Sequence, residues 1–308
     1  MPGDIVARGA GEVSSFLSGR TVGEILREAA GYLEKTGVER ARVNAELLMA
    51  HLLGIDRLAL YLGSERLLDD ELLARYDHLL SIRSRGCPLQ WLTGHQEFMS
   101  IDLRVEEGVF IPRPDTEVLV ETAIPLAREI LSCRKKALLM DIGTGSGAIA
   151  VSIAGFISGV RVRAYDISTA AVRTARYNAA CQRLTDRVTV IEDDPLSDGH
   201  DDDIWKKADM VLSNPPYVPS RDIDMLQREV RDFEPRLALD GGPDGLDVYR
   251  RITARGRLLR QGAFIILEIG IGQGDGVVEL LSTAGFEVLR IVPDYAGIDR
   301  VVVACRKE

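Results

Sequence analysis

A glycine-rich loop between a strand and a helix constrains the fold of this chain more than any other feature. Residues 137–142 form a largely apolar run typical of a buried strand, and Gly143-Thr144-Gly145-Ser146-Gly147 follows it directly. Residues 148–153 then carry apolar side chains at helical spacing. A strand that turns through glycines into a helix begins a βαβ unit, and further strand–helix units follow along the chain. The sequence therefore predicts an α/β fold with a doubly wound, mostly parallel sheet.

Two further parts are predicted around this sheet. The apolar runs at 286–292 and 301–304 follow each other without a helix between them, which predicts an antiparallel strand pair at the sheet edge. Before the sheet, residues 21–86 carry apolar side chains at helical spacing and begin with the capping-box residues Thr21 and Glu24. This pattern predicts a small N-terminal helical bundle. We expect the bundle to dock a partner rather than only to pack, because catalysis would not need it.

These patterns divide the chain into four expected parts. The parts are a loose tail at 1–20, the helical docking domain at 21–86, a linker with a β-hairpin at 87–112 and the sheet domain at 113–308. The strands of the hairpin are predicted at 97–105 and 109–111.

Charge and cysteine content narrow the functional class. The net charge of −9 argues against a general nucleic-acid binder, which usually has a basic domain. The four cysteines are widely spaced and form no C-x-x-C pair, which predicts reduced thiols in a cytoplasmic protein. The four histidines show no ligand spacing, so we expect no metal site. No apolar run approaches the roughly 18 residues of a membrane span, and the first residues lack the apolar core of a signal peptide.

The sequence Asn214-Pro215-Pro216-Tyr217 is the strongest candidate for chemistry. It follows the apolar run 208–213, which is typical of a buried strand, so it is expected at the carboxyl end of a strand, where α/β sheets bind ligands. Asn214 offers an amide oxygen as acceptor, the prolines leave carbonyls without N–H donors, and Tyr217 offers a flat face. Together these groups suit a planar NH2 group held toward an electrophile. The alternative interpretation is an ordinary Asn-Pro turn after a strand.

The glycine loop is compatible with two adenosine cofactors. Residues 143–148 satisfy the pattern G-x-G-x-x-A, and Asp166 lies where a ribose-binding acid is expected, so NAD fits these residues. Asp141 before the loop and the later acidic pair Asp193-Asp194 favour S-adenosylmethionine. Its amino-acid tail and its adenine both carry amines that need acceptors, whereas the pyrophosphate of NAD would be repelled by Asp141.

A rigid loop precedes the sheet. Pro112 and Pro114 flank Arg113, and a helix is predicted to begin near Asp115 or Thr116. The start of a helix is sufficient to explain this loop. A stiff loop that presents Arg113 beside a positive helix end is also suited to line an anionic site.

In its glycine loop, its tetrapeptide and the stretches before the sheet, the chain resembles the peptide-chain release factor glutamine methyltransferases. The matching stretches are Pro88 to Gly94 (PLQWLTG), Ile111 to Glu117 (IPRPDTE), Asp141 to Ala150 (DIGTGSGAIA) and Asn214 to Tyr217 (NPPY), with Glu234-Pro235, Ala238-Leu239, Asp244 to Leu246 and Asp299-Arg300 as further family positions. The tetrapeptide alone is shared with DNA and RNA amino-methyltransferases, and the stretch at 112–117 points to this family. Pro195 follows Asp194, where members of the family often carry an aromatic residue or leucine.

The resemblance implies a class I methyltransferase domain behind a small helical domain. It implies S-adenosylmethionine as cofactor and class I peptide chain release factors as the protein substrate, methylated on the glutamine of their Gly-Gly-Gln loop. The candidate cofactor-binding residues are Asp141, Gly143, Thr144, Gly145, Ser146, Gly147, Asp166, Asp194 and Asn214. The candidate catalytic and substrate-binding residues are Asn214, Pro215, Pro216 and Tyr217, with Arg113 as a further substrate-binding residue.

Other functions stay open at this point. The acceptor of an amino-methyltransferase could instead be a ribosomal-protein glutamine or a nucleic-acid base, although the acidic net charge speaks against the base. A cofactor-binding module without catalysis and an NAD oxidoreductase are the alternatives from other classes. The intact tetrapeptide speaks against the first, and the lack of a candidate proton donor at the strand ends speaks against the second.

Overall fold

The computed structural model describes residues 19–199 and 201–307. The chain divides into two compact units, the first reaching Gly94 and including Arg228–Phe233, and the second formed by His95–Gln227 and Glu234–Glu308. The tail expected at 1–20 lies outside the described residues, apart from 19 and 20. Among the residues described, no helix is long and apolar enough to span a membrane.

The first unit is a small helical bundle, as predicted. Its helices are α1 (Val22–Lys35), α2 (Ala41–Leu53), α3 (Arg57–Leu62), α4 (Asp70–Ser84), α5 (Leu89–Thr93) and, from later in the chain, α10 (Arg228–Phe233). The capping box is present, with the Thr21 side chain accepting from the Glu24 backbone N–H and the Glu24 carboxylate accepting in return. The fully buried Tyr76 donates its hydroxyl proton to the Ala45 carbonyl at 2.9 Å, which joins α4 to α2.

A β-hairpin with a two-residue turn begins the second unit, and its strands lie at positions other than those predicted. Strand β1 (His95–Phe98) pairs antiparallel with β2 (Ile101–Arg104) through Met99 and Ser100, whose φ angles are 50° and 59°. The prediction of strands at 97–105 and 109–111 was wrong. The left-handed turn contains neither glycine nor asparagine, so the sequence does not mark it as a turn. Of the expected linker 87–112, residues up to 94 belong to the first unit and the hairpin belongs to the second.

The rest of the second unit is a seven-stranded α/β/α sandwich. Its strands are β3 (Ala137–Ile142), β4 (Val160–Asp166), β5 (Val188–Glu192), β6 (Met210–Ser213), β7 (Phe264–Glu268), β8 (Phe286–Pro293) and β9 (Asp299–Arg306). Its helices are α6 (Glu117–Cys133), α7 (Ala148–Phe156), α8 (Thr169–Cys181), α9 (Asp202–Lys207), α11 (Asp247–Gly256) and α12 (Gly274–Thr283). Helices α6 to α8 cover one face of the sheet, and α9, α11 and α12 cover the other. This architecture confirms the predicted fold class.

The order of the strands in the sheet determines where the candidate residues lie. It is β5-β4-β3-β6-β7-β9-β8, with β9 antiparallel to both of its neighbours, so the chain winds in opposite directions from β3 and β6. Ligands bind in such sheets where the order reverses, at the carboxyl ends of the strands. There the Ser213 hydroxyl donates to the Ile142 carbonyl at 2.7 Å and joins the ends of the two strands.

At the opposite ends of these strands, a buried carboxylate fixes their alignment. Asp209 accepts from the Leu138 N–H at 2.7 Å and pairs with Arg134 and Arg260. We expect Asp209→Ala to lower the free energy of unfolding by about 2 kcal/mol, because the partly buried Leu138 N–H loses its hydrogen-bond partner. Urea unfolding measures this change.

Asp203→Ala provides the control for that measurement. Asp203 is an exposed acid that pairs with Lys206 at 3.5 Å, and exposed ion pairs contribute little to stability. Equal urea midpoints for the Asp209→Ala and Asp203→Ala variants would show that Asp209 does not hold the strands in register.

Candidate active site

The glycine loop after β3 leaves room beside its backbone. Gly143, Gly145 and Gly147 have φ angles of 72°, 57° and 84°, which L side chains rarely adopt. A Cβ at Gly143 or Gly145 would meet no heavy atom within 4 Å, whereas one at Gly147 would lie 3.1 Å from the Ala175 side chain. The first two glycines therefore face open space that a ligand can enter, and the third allows α7 and α8 to pack closely.

A buried carboxyl lies directly beneath this loop. Asp141 has no exposed surface, and its Oδ2 accepts from the Thr144 hydroxyl at 2.6 Å. Its Oδ1 has no hydrogen-bond partner among the described residues. Burial raises the pKa of Asp141 to about 7, against the opposing effect of hydrogen bonds with the Thr144 hydroxyl and the Ala150 backbone. A cation beside Oδ1 would stabilise the ionised form.

Two further acids follow the next two strands. Asp166 ends β4, and its oxygens accept from the Gly145 and Ser168 backbone N–H groups at 2.8 and 2.9 Å, so it is held against the glycine loop. Burial raises the pKa of Asp166, although these N–H groups act in the opposite direction. Asp194 lies beyond β5, where its carboxylate pairs with Arg251 at 2.5 Å and accepts from the Leu196 N–H at 2.9 Å.

The tetrapeptide follows β6, next to the glycine loop. The Asn214 Nδ2 donates to the Thr116 hydroxyl oxygen at 3.0 Å. The Tyr217 hydroxyl lies 3.5 Å from Glu268 Oε1, and the Tyr217 carbonyl accepts from the Gln273 side chain at 2.8 Å. Burial raises the pKa of Tyr217 to about 12, so its phenol is neutral at physiological pH.

The loop that precedes α11 closes against the backbone of the tetrapeptide. A Cβ at Gly241 would lie 2.8 Å from the Pro216 carbonyl oxygen, and one at Gly245 would lie 2.4 Å from that of Tyr217. Only glycine permits this approach, so these two residues shape one wall of the site.

Arg113 has a partner within the chain. Its guanidinium pairs with the buried carboxylate of Glu234 and lies 5.1 Å from the centroid of the Phe110 ring. Nearby in sequence, Asp115 pairs with Arg300 at 3.4 Å. Within the structure, the loop at 112–117 is thus held by ion pairs, and Arg113 as a residue that binds substrate stays a prediction.

The structure brings most of the candidate residues to one edge of the sheet and adds three that sequence analysis missed. Asp141, the glycine loop, Asp166 and the tetrapeptide all lie at carboxyl ends of parallel strands. The missed residues in contact with the tetrapeptide are Thr116, Glu268 and Gln273. The sequence could have indicated Glu268, because it is a single acid at the end of an apolar strand, as Asp166 is. Nothing in the sequence indicated Gln273.

Comparisons with known proteins concern the fold and the family of this chain. Residues 24–94 match the family model of the PrmC N-terminal domain, and residues 114–242 match that of the methyltransferase small domain. Among solved structures, the hMettl16 catalytic domain in complex with a MAT2A 3'UTR hairpin has a TM-score of 0.52 at 16% identity, covering 75% of this chain and 82% of that one. At that identity the likeness shows the methyltransferase fold alone.

Two curated relatives are similar over almost the entire chain. The release factor glutamine methyltransferase of Moorella thermoacetica is 42% identical over 290 residues, 94% of this chain and 99% of the relative. That of Geobacter sulfurreducens is 41% identical over 286 residues, 92% and 95% of the two chains. The chain belongs to the family of release factor glutamine methyltransferases.

Proposed function

We propose that this enzyme transfers a methyl group from S-adenosylmethionine to the side-chain amide nitrogen, N5, of the glutamine in the Gly-Gly-Gln motif of class I peptide chain release factors. The observation that carries the proposal is the position of Asn214-Pro215-Pro216-Tyr217 beside the open glycine loop, where the ends of β3 and β6 are joined. The names of the relatives supply the acceptor.

The residues around the glycine loop fit S-adenosylmethionine. The open space beside Gly143 and Gly145 would admit it against the backbone, and the unpartnered Asp141 Oδ1 suits its cationic amine. Asp166 would accept from the ribose hydroxyls. Asp194 already pairs with Arg251, so an amine of the adenine would share that carboxylate. When bound, the cofactor supplies a methyl group that its sulfonium already activates.

The tetrapeptide would hold the acceptor amide. An amide nitrogen is a weak nucleophile because its lone pair is conjugated with the carbonyl group. The Asn214 Oδ1 and the Pro215 carbonyl would accept from its two N–H groups, and the Tyr217 ring would cover its plane. Neither proline offers an N–H that could compete as a donor. Catalysis in this arrangement comes mainly from positioning the nitrogen in line with the methyl carbon and the sulfur.

The Asn214→Ala substitution tests this use of the tetrapeptide. We expect turnover to fall by several orders of magnitude while cofactor affinity stays close to that of the wild type, because Asn214 grips the acceptor amide. Methyl transfer from labelled S-adenosylmethionine to a purified class I release factor measures it, with the factor carrying Gln→Ala in its Gly-Gly-Gln motif as control. Label on the Gln→Ala factor, or normal turnover by the variant, would contradict the proposal.

The pKa of Asp141 predicts that cofactor affinity depends on pH. Only the ionised carboxylate attracts the cationic amine, and the fraction ionised rises as the pH passes through about 7. Raising the pH from 6 to 7.5 should tighten binding roughly fivefold, since the cofactor amine loses part of its own charge over the same range. Calorimetric titration at constant ionic strength measures this.

Two variants separate Asp141 from other acids in that titration. Asp141→Asn should bind more weakly and lose the pH dependence, whereas Asp186→Asn, at an exposed position, should keep it. A wild-type affinity that does not change between pH 6 and 7.5 would remove Asp141 from the cofactor site.

We propose that the first unit docks the release factor. Leu58 and Leu62 lie four residues apart on α3 and are 67% and 82% exposed, and Tyr61 and Leu67 beside them in sequence are 50% and 61% exposed. Large apolar side chains exposed together are typical of interaction surfaces. We place the reaction in the cytoplasm, since none of the four cysteines, all of which the structure describes, forms a disulfide, and translation terminates there.

The double variant Leu58→Ser/Leu62→Ser tests this docking surface. We expect KM for the whole factor to rise at least severalfold with kcat unchanged, and KM for a short peptide carrying the Gly-Gly-Gln motif to stay the same. Phe156→Ser removes a 46% exposed apolar side chain from α7 and serves as control. An unchanged KM for the whole factor would show that these leucines do not dock it.

A further inference from the structure

A buried carboxyl that the mechanism above does not use lies behind the tetrapeptide. Glu268 ends β7 and is 1% exposed. Its Oε1 is 3.5 Å from the Tyr217 hydroxyl, and its Oε2 has no hydrogen-bond partner among the residues described. Burying an ionised carboxyl costs free energy unless hydrogen bonds or an opposite charge compensate for the lost water.

Thr116 connects this carboxyl to Asn214. Thr116 is 3% exposed and ends the short helical turn Pro114–Thr116 before α6. The Thr116 oxygen accepts from Asn214 Nδ2 at 3.0 Å. The Thr116 hydroxyl also lowers the pKa of Glu268, as a hydrogen bond to its carboxylate would. Together, these two hydrogen bonds would link the three side chains in one row.

The direction of the hydrogen bonds along this row is fixed by chemistry. An ionised carboxylate only accepts, so Thr116 must donate its single hydroxyl proton to Glu268. The Thr116 oxygen is then left to accept from its other neighbour. A side-chain amide can present either its oxygen or its NH2 group, and only NH2 satisfies an acceptor. Asn214 must therefore turn its NH2 group to Thr116 and its oxygen the other way.

We propose that Thr116 and Glu268 are positioning residues that fix the Asn214 amide with its oxygen toward the methyl acceptor. The inference rests on the proposed function, in which that oxygen accepts from the glutamine NH2 group. Neither residue contacts the acceptor in this account. Both act through the orientation of Asn214.

The surroundings of Glu268 make the row sensitive to pH. Burial raises the pKa of Glu268 to about 7, opposed by the Thr116 hydrogen bond and the charge of Arg300, while Asp115 adds to the increase. Tyr217 and Tyr249 also face it, the latter donating to its backbone carbonyl at 2.8 Å. A protonated Glu268 can donate to Thr116, which frees the Thr116 hydroxyl to donate to Asn214 and turns the amide round. The acceptor-binding orientation is thus favoured above pH 7.

Substitutions of Thr116 test the row. Thr116→Val has the same shape without the hydroxyl, and we expect kcat to fall on the order of 100-fold, the cost of a misplaced reacting group. KM for the factor, cofactor affinity and thermal midpoint should change little. Thr116→Ser restores the hydroxyl and should recover most of kcat. Thr122→Val, at a buried threonine on the following helix α6, should leave kcat unchanged.

A double variant separates positioning from a structural effect. If Thr116 acts only through Asn214, then adding Thr116→Val to Asn214→Ala should lower kcat no further. Additive losses would overturn the inference, as would a kcat for Thr116→Val equal to that of the wild type.

The pH profile tests Glu268. In the wild type, kcat should rise through about pH 7 as Glu268 ionises. Glu268→Gln keeps an acceptor oxygen for Thr116 and should stay active with a flat profile from pH 6 to 8. Glu268→Leu offers no acceptor and should lose kcat as Thr116→Val does. A profile for Glu268→Gln that matches the wild type would overturn the part assigned to Glu268.

The row can also be tested without turnover. NMR resonances of the Asn214 side-chain NH2 group can be identified by their loss in Asn214→Ala. They report the exchange of the NH2 protons with solvent, and the hydrogen bond to Thr116 should slow this exchange. Thr116→Val should speed this exchange severalfold. A wild-type enzyme that does not methylate the release factor would refute the proposed function, whereas unchanged exchange in Thr116→Val would refute the row itself.

Discussion

The site depends on the side-by-side pairing of two parallel strands, β3 and β6, from which the chain winds in opposite directions. The registry of Leu139 to Asp141 against Met210 to Leu212 brings their carboxyl ends to the same level of the sheet. The loop after β3 is open to a ligand, and the tetrapeptide after β6 offers acceptors. The hydrogen bond from Ser213 to Ile142 joins the two ends. In the proposed function, the methyl donor and the methyl acceptor would therefore lie side by side, at the ends of two paired strands.

Burial gives the two sides of the site a common electrostatic character. Asp141 beneath the glycine loop and Glu268 behind the tetrapeptide are both almost inaccessible, and desolvation raises the pKa of each to about 7. Each also has one carboxyl oxygen without a partner among the described residues. In a medium of low dielectric constant, such groups respond strongly to a neighbouring cation or donor. Asp141 is therefore suited to sense a ligand's charge, and Glu268 to set the direction of a hydrogen bond.

The sequence was sufficient to predict where those candidate residues lie whose chemistry and local structure coincide. Asp141, the glycines after it and Asp166 lie within or beside single strand-to-helix turns, so their spacing reveals them. Thr116 contacts Asn214 from 98 residues away, and Gln273 reaches the Tyr217 carbonyl from a separation of 56. Such contacts depend on how strands order themselves in the sheet, which no local pattern encodes. The hairpin turn at Met99 and Ser100 was missed for a different reason, since its left-handed backbone is imposed on residues that do not ordinarily favour it.

The stretch at 112–117, one of those by which the sequence resembles this family, has a structural explanation. Arg113 pairs with Glu234, Asp115 with Arg300, and Thr116 with Asn214, while Glu117 accepts from the Met99 N–H. Four neighbouring side chains thus reach four separate segments of the second unit. The tetrapeptide resembles that of enzymes that act on nucleic-acid bases. Here it is surrounded by a frame, the contacts that the stretch at 112–117 makes with these four segments. Because Thr116 belongs to that frame and, in the proposal above, also orients Asn214, the stretch would both hold the acceptor site together and set the direction in which the Asn214 amide points.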